Sequence, residues 1–306
     1  MDTEALANLA MTEDQFDSQL ADCATQTEAF LAAHIATLDA PERLLAAIAH
    51  GTLGGGKRLR PFLVRLSASL FDVPHEKSLA VGAALEMIHC YSLVHDDLPD
   101  MDHDELRRGK PTVWKAFDPA LAILAGDALL TEAFALLSDP RSHPDPAIRA
   151  ELVLTLAHAA GSAGMVGGQV LDIEGETNPL DEDAIFTMQA KKTGALIRVG
   201  VEMGTILGNA NSTQRAELIR FGTAAGLAFQ IADDILDVTA TSDALGKTAG
   251  KDVAQNKSTI IARSGLDAAR KVLDDAVANG LDALENFGPS ADRLRSLIRH
   301  FADRSH

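Results

Sequence analysis

The chain has 306 residues, 46% of them hydrophobic and only 4% aromatic, and its 44 acidic and 27 basic side chains leave a formal charge of −17. A chain of this length buries a sizeable core without disulfide staples, and this charge excludes a protein that grips nucleic acid through a broad basic face. Ala and Leu dominate, and alternating runs of β-branched residues are nearly missing, so the composition predicts an all-α fold. Two cysteines, Cys23 and Cys90, offer neither a disulfide framework nor a metal-binding CxxC pair, which points to a reducing compartment.

The acidic start, Met1 to Asp17, has no basic region leading into an apolar one. A secretory signal is therefore not expected, and a cytoplasmic location is. Helical apolar spacing then runs through Phe16–Leu38, Glu42–Ala49, Leu59–Leu70, Ser78–Val94, Pro119–Leu137, Ala147–Gly161, Ile185–Leu207, Thr213–Asp237 and from Ser264 onward, which predicts roughly nine to twelve helices. No window reaches about 18 uninterrupted apolar residues, so no membrane span is expected. The breaks at Leu53–Gly56, Asp72–His75, Ser138–Pro146 and Glu174–Asp183 are short, and the expectation is one helical domain, residues 1–306. Thr239–Thr259 differs, with no apolar period over roughly twenty residues, and is predicted to be a functional lid.

Five places are unlike a plain scaffold. Asp96-Asp97-Leu98-Pro99-Asp100-Met101-Asp102 sets four carboxylates at the C-terminal end of an apolar helix, where mutual repulsion and the helix dipole both disfavour them without a cation. Hard oxygen ligands of this kind suit Mg²⁺, which takes one or two protein carboxylates and completes its shell with water and phosphate oxygens. Helical spacing favours Asp100 as the partner of Asp96, but Pro99 bends or ends the helix, and Asp102 can then swing back. Gln230 to Asp237 repeats the acidic pattern inside an apolar run, with Asp233 and Asp237 on one face about 6 Å apart at Cβ.

The other three places are basic. Gly54-Gly55-Gly56-Lys57-Arg58-Leu59-Arg60 puts cations on a glycine turn that opens a helix, an anion-binding arrangement without the P-loop spacing. Arg107-Arg108-Gly109 interleaves positive charge with the first acidic cluster, as a site that clasps diphosphate requires. Lys191-Lys192-Thr193, Lys247 and Lys257 complete the set, the last two on the predicted lid.

In this order the five motifs resemble the trans-isoprenyl diphosphate synthases, especially their bacterial farnesyl and short-chain polyprenyl members, from roughly Leu45 to Thr259. The resemblance implies a helical bundle around a central cavity, a homodimer, and several Mg²⁺ ions per site, with Mn²⁺ as a substitute. It implies that Lys57, Arg60, His89 and Arg108 hold isopentenyl diphosphate. Arg107, Lys192, Thr193, Gln230, Lys247 and Lys257 would hold the allylic diphosphate, with metal bridging it to Asp96, Asp102 and Asp233 and with Asp97 and Asp237 in support. By the family pattern Asp102, not Asp100, closes the first motif. Tyr91, about one and a half helical turns before Asp96, would floor the product tunnel and stop growth at fifteen carbons. Ser258-Thr259-Ile260-Ile261 departs from the Tyr-Pro that related enzymes often show after the threonine, and Phe301–His306 carries no clear basic tail. The alternatives are a geranyl or geranylgeranyl synthase, a terpene cyclase, or a silent subunit that binds prenyl diphosphates.

Overall fold

The computed structural model describes residues 13–239 and 260–303. Among them the chain forms α1 (Glu13–Ile35), α2 (Glu42–Thr52), α3 (Leu59–Ser69) and α4 (His75–Asp96), followed by the two-residue strands β1 (Leu106–Arg107) and β2 (Lys110–Pro111). Next come α5 (Val113–Ala116), α6 (Pro119–Ser138), α7 (Pro146–Ala160), α8 (Met165–Thr177) and α9 (Glu182–Gln189). A π-helical turn (Ala190–Gly194) leads into α10 (Ala195–Leu207) and α11 (Ser212–Thr239), and after residues 240–259 come α12 (Ile260–Ser264), α13 (Leu266–Ala283), a 3₁₀ turn (Glu285–Ala291) and α14 (Asp292–Asp303).

The helix starts follow from local chemistry. Asp118 and Asp145 precede Pro119 and Pro146, and their side chains accept from the Leu121 and Ala147 N–H groups, while Asp181 accepts from Ala184. Each cap satisfies a backbone donor that the first helical turn leaves free, and the two prolines stand where no N–H is needed. Helices pack one on the next in the spatial order α6, α4, α3, α10, α11, α13. At the centre, every residue of α10 except Arg198 is buried, as befits a helix apolar on all sides. Leu196, Val199 and Met203 face a core built from α4, α6 and α7, whereas Ile197 and Val201 face a second core of α1, α11, α13 and α14.

The all-α expectation holds, with three local differences. The single helix expected over Ile185–Leu207 is interrupted by the π turn. An unanticipated helix, α8, lies in a segment whose Gly164, Gly167 and Gly168 hide the helical signal. Gly168 is needed there, because a Cβ on it would fall 2.2 Å from the backbone N of Lys192. The segment after Ser264 divides at the 3₁₀ turn, where Gly288 takes φ 61° just before Pro289. By length and composition α6 is apolar enough to cross a membrane, yet it packs along α4, α2 and α7. Cys23 and Cys90 are buried and unpaired. Lys247, Lys257 and the predicted lid beyond Thr239 lie outside the described residues.

Candidate active site

The first acidic motif straddles the end of α4. Pro99 stops the helix, and the chain folds into a tight turn in which the Asp102 N–H donates to the Asp96 carbonyl at 2.8 Å while Met101 and His103 donate to Leu98. This return brings Asp102 beside Asp96, so that each carboxylate feels the other, and leaves Asp100 exposed. Burial, reinforced by Asp102 and Asp97, pushes the Asp96 carboxyl up to about 6 despite the attraction of Lys192. Asp97 is buried and faces differently: Arg107 grips it with Nε at 2.8 Å and Nη2 at 2.6 Å from Oδ1. Such a fork fixes orientation as well as charge. The Asp97 carboxylate is thereby committed to Arg107, which also reaches Asp104 at 3.8 Å.

The π turn carries Lys192 into this acidic neighbourhood. Burial alone would lower its pKa, but Asp172 of α8, 2.5 Å from Nζ, together with Asp96 and Asp102 raises it on balance. A single π turn inside a helix is a frequent mark of a functional site; here it turns Lys192 and Thr193 out of register with α9, and both are half-buried.

The second acidic motif is helical, in the last turns of α11. Asp233 is exposed, whereas Asp234 and Asp237 are each 5% exposed. Asp234 is clamped by two amides: Gln230 donates to Oδ1 at 2.8 Å and Gln189 to Oδ2 at 2.9 Å. Gln189 directly precedes the π turn, so the turn ties the second motif to the Lys192 cluster. The Asp237 Oδ2 atom is buried and has no hydrogen-bond partner, an arrangement that is costly without a counter-charge.

The basic motifs meet at a second cluster. Arg108 and Gly109 form the loop between β1 and β2 with φ of 53° and 74°, the all-positive pattern of a tight two-residue hairpin. This turns Arg108 back onto the glycine loop, where Nη1 donates to the Gly55 carbonyl at 2.5 Å. Gly56, at φ 97°, adopts a backbone that strains any other residue, and the Arg108 guanidinium packs 2.7 Å from where a Cβ would stand. Burial holds His89 well below the usual histidine range, and Arg60, Arg108, Arg107 and Arg58 add to that effect. Burial also lowers Arg60, whose Nε has no hydrogen-bond partner. A neutral imidazole among guanidinium groups makes a pocket for an anion. Lys57 stands exposed on the loop. Between the clusters lies the Asp97–Arg107 pair, whose guanidinium acts on both Asp96 and His89.

Residues 41–287 match the family described as polyprenyl synthetase. The chain belongs to that family. It is 43% identical over 266 residues to the farnesyl diphosphate synthase of Micrococcus luteus, covering 87% of this chain and 91% of that protein. Likewise, it is 41% identical over 281 residues to the farnesyl diphosphate synthase of Geobacillus stearothermophilus, covering 91% and 94%. Among solved structures, an FPP/GFPP synthase from Zymomonas mobilis superposes with a TM-score of 0.83 at 42% identity, over 94% of this chain and 98% of that one. A helical isoprenoid-synthase fold and a prenyltransferase activity follow for this polyprenyl synthetase.

The geometry also brings in residues that motif reading passed over. Asp172 comes from α8, the helix that its glycines conceal, and Gln189 and Asp234 lie beside residues of the motifs. A polar residue in the apolar stretch Val170-Leu171-Asp172 is the sequence signal that marks Asp172. Glu86 and Glu28, which meet at the buried side chain of Arg58, carry no motif signal.

Proposed function

We propose that the protein condenses isopentenyl diphosphate with dimethylallyl or geranyl diphosphate, using Mg²⁺, and releases farnesyl diphosphate. One observation carries the reading: an anion pocket of Arg60, His89 and Arg108 stands next to a carboxylate cluster around Lys192, with Asp97–Arg107 joining the two. Two substrate diphosphates need two such anchors, whereas a terpene cyclase needs one.

The acidic residues fit a divalent ion. Burial, more than any neighbouring charge, pushes the Asp96 carboxyl up to about 6, and Asp237 has a buried oxygen without a partner; a bound cation would offset both costs. Among the described residues no three His, Cys, Asp or Glu side chains converge to cage an ion unaided. Mg²⁺ needs only one or two protein carboxylates and takes its other oxygens from diphosphate and water. Asp96 and Asp102 on one side and Asp233 and Asp237 on the other would hold it, with Mn²⁺ as a substitute, while Asp97 supports through Arg107. When bound, the metal neutralises charge on the departing diphosphate.

The side chains supply the rest. Lys192, Thr193 and Arg107 orient the allylic diphosphate, with Gln230 acting through Asp234, and Lys247 and Lys257 are assigned there from the sequence. Lys57, Arg60, His89 and Arg108 fix isopentenyl diphosphate with its double bond against the allylic carbon, so that proximity supplies much of the acceleration. The allylic C–O bond breaks, the double bond forms the new C–C bond, and the proton lost from the product passes to the released diphosphate.

Tyr91 is buried, meets the His95 ring edge-on, and has its hydroxyl pushed up to about 12 by burial and by Asp96. One helical turn earlier, Met87 lines a cavity of about 420 Å³ together with Ile35, Leu44, Ile48 and Leu129. Taking Tyr91, one turn after Met87 on the same helix, as the stop for chain growth, Tyr91→Ala is expected to shift products beyond fifteen carbons; an unchanged distribution overturns that role.

A homodimer would form over exposed apolar residues of α6 and α8, Leu124 (55% exposed) with Ile123, and Val170 (50%) with Val166 and Ile173. The assignment takes residues 1–306 as one domain in the cytoplasm, where two buried, unpaired thiols are at home. Incubation with isopentenyl diphosphate, dimethylallyl diphosphate and Mg²⁺ is expected to yield a fifteen-carbon diphosphate. Ten- or twenty-carbon product points to a geranyl or geranylgeranyl synthase, cyclised hydrocarbon to a cyclase, and no turnover to a silent subunit.

A further inference from the structure

We propose that Glu28, a carboxylate of α1 outside every motif, is a positioning residue that sets the affinity for isopentenyl diphosphate; this rests on the assignment of Arg60, His89 and Arg108 to that substrate. The two oxygens of Glu28 hold the two ends of the glycine loop. Oε1 accepts the Gly54 N–H at 2.5 Å, and Oε2 accepts Arg58 Nη2 at 3.0 Å. Arg58 is an unyielding anchor: its side chain is wholly enclosed, its backbone is left-handed at φ 50°, and it also donates to Glu86 at 2.9 Å and to the Thr52 carbonyl at 2.5 Å. Between these ends, the Gly55 carbonyl and the close approach of Gly56 fix the guanidinium of Arg108. Glu28 holds the loop, and the loop holds Arg108.

This contact differs from an ordinary surface ion pair, which contributes little. Only one partner of Glu28 is a side chain, and that one is buried; the others are the backbone donors of Gly54 and Gly55 at the turn itself. Replacing Glu28 leaves Arg58 neutralised by Glu86, so the fold persists while the Gly54 end is released.

Glu28→Gln and Glu28→Ala test this through the calorimetric Kd for isopentenyl diphosphate alone, with KM for both substrates, kcat and the melting temperature. Without an allylic partner isopentenyl diphosphate does not condense, so its binding is read separately from chemistry. Glu28→Ala is expected to raise its Kd and KM about five- to tenfold, and Glu28→Gln, which keeps an acceptor for Gly54, by less. The allylic KM and kcat are expected to stay within about twofold. A lowered melting temperature with unchanged isopentenyl diphosphate affinity, or a parallel rise in both KM values, overturns the proposal. If the unmodified protein binds isopentenyl diphosphate but does not condense it, the reaction assignment fails and the Kd ratio still decides the role of Glu28. If it does not bind that substrate at all, both fail.

Discussion

The cationic and acidic clusters treat charge in opposite ways. At the cationic end the buried Glu86 and the half-buried Glu28 neutralise Arg58, and burial, reinforced by four arginines, holds His89 well below the usual histidine range. At the acidic end Lys192 is shared among Asp172, Asp96 and Asp102, and the Asp237 Oδ2 atom has no partner. Paired buried charges are tolerated, and unpaired ones need a counter-ion. The cationic cluster therefore keeps a surplus of positive charge for an anion, whereas the acidic one, under the proposed function, would take a metal together with its anion.

The largest test of this contrast is at the acidic end. Asp96→Ala and Asp102→Ala are each expected to lower kcat by about 10²–10³, the range for removing a group that stabilises developing charge. Asp100→Ala, at the exposed tip of the turn, is expected to stay within about twofold. An Asp102→Ala enzyme with normal turnover would show that the return of the turn onto Asp96 has no catalytic purpose. The same contrast predicts ligand effects on stability: Mg²⁺ with inorganic pyrophosphate raises the melting temperature of the unmodified protein by mass action and that of Asp96→Ala much less.

A smaller effect is expected where the acidic end is braced by neutral groups. Gln189→Leu removes one of the two amides on Asp234 and leaves a buried carboxylate oxygen without its donor, at a cost of about 1–3 kcal/mol in stability by denaturant unfolding. Because Gln189 leads into the π turn, kcat is expected to fall with it while the KM for isopentenyl diphosphate holds. A rise confined to that KM would mean that the two ends are coupled more tightly than the hydrogen bonds indicate.

How much of this was legible beforehand depended on whether the signal was local. Asp96, Asp102, Asp233 and the arginines stand out because charges on an apolar helical background are costly and therefore conspicuous. The return of Asp102 was readable from Pro99, a local steric effect. By contrast, the π turn leaves no mark in a sequence whose apolar spacing runs smoothly from Ile185 to Leu207, since one extra backbone residue hardly shifts that period. Helix α8 escaped because the glycine at 168 that lets it touch the Lys192 backbone is also what makes a segment look unhelical. The Glu28 contact joins residues 26 apart with ordinary spacing on α1, and nothing local distinguishes that glutamate from its neighbours.

The gentlest probe is at the cationic end. His89 lies well below its ordinary value of 6.5 because burial and four arginines disfavour its charged form. In the unfolded chain it takes up a proton below about pH 6.5, which the native state refuses, so the unfolded state binds more protons and stability falls as the pH drops through that region. Glutamine cannot titrate, and His89→Gln is expected to lose less melting temperature than the unmodified protein between about pH 7.5 and about pH 5. Since the native imidazole is already neutral and glutamine also donates an N–H, the KM for isopentenyl diphosphate at neutral pH is expected to change no more than about threefold. Equal acid sensitivity in both proteins would mean that His89 is charged in the folded state, and the arginines around it would then need a closer carboxylate than Glu86 to account for it.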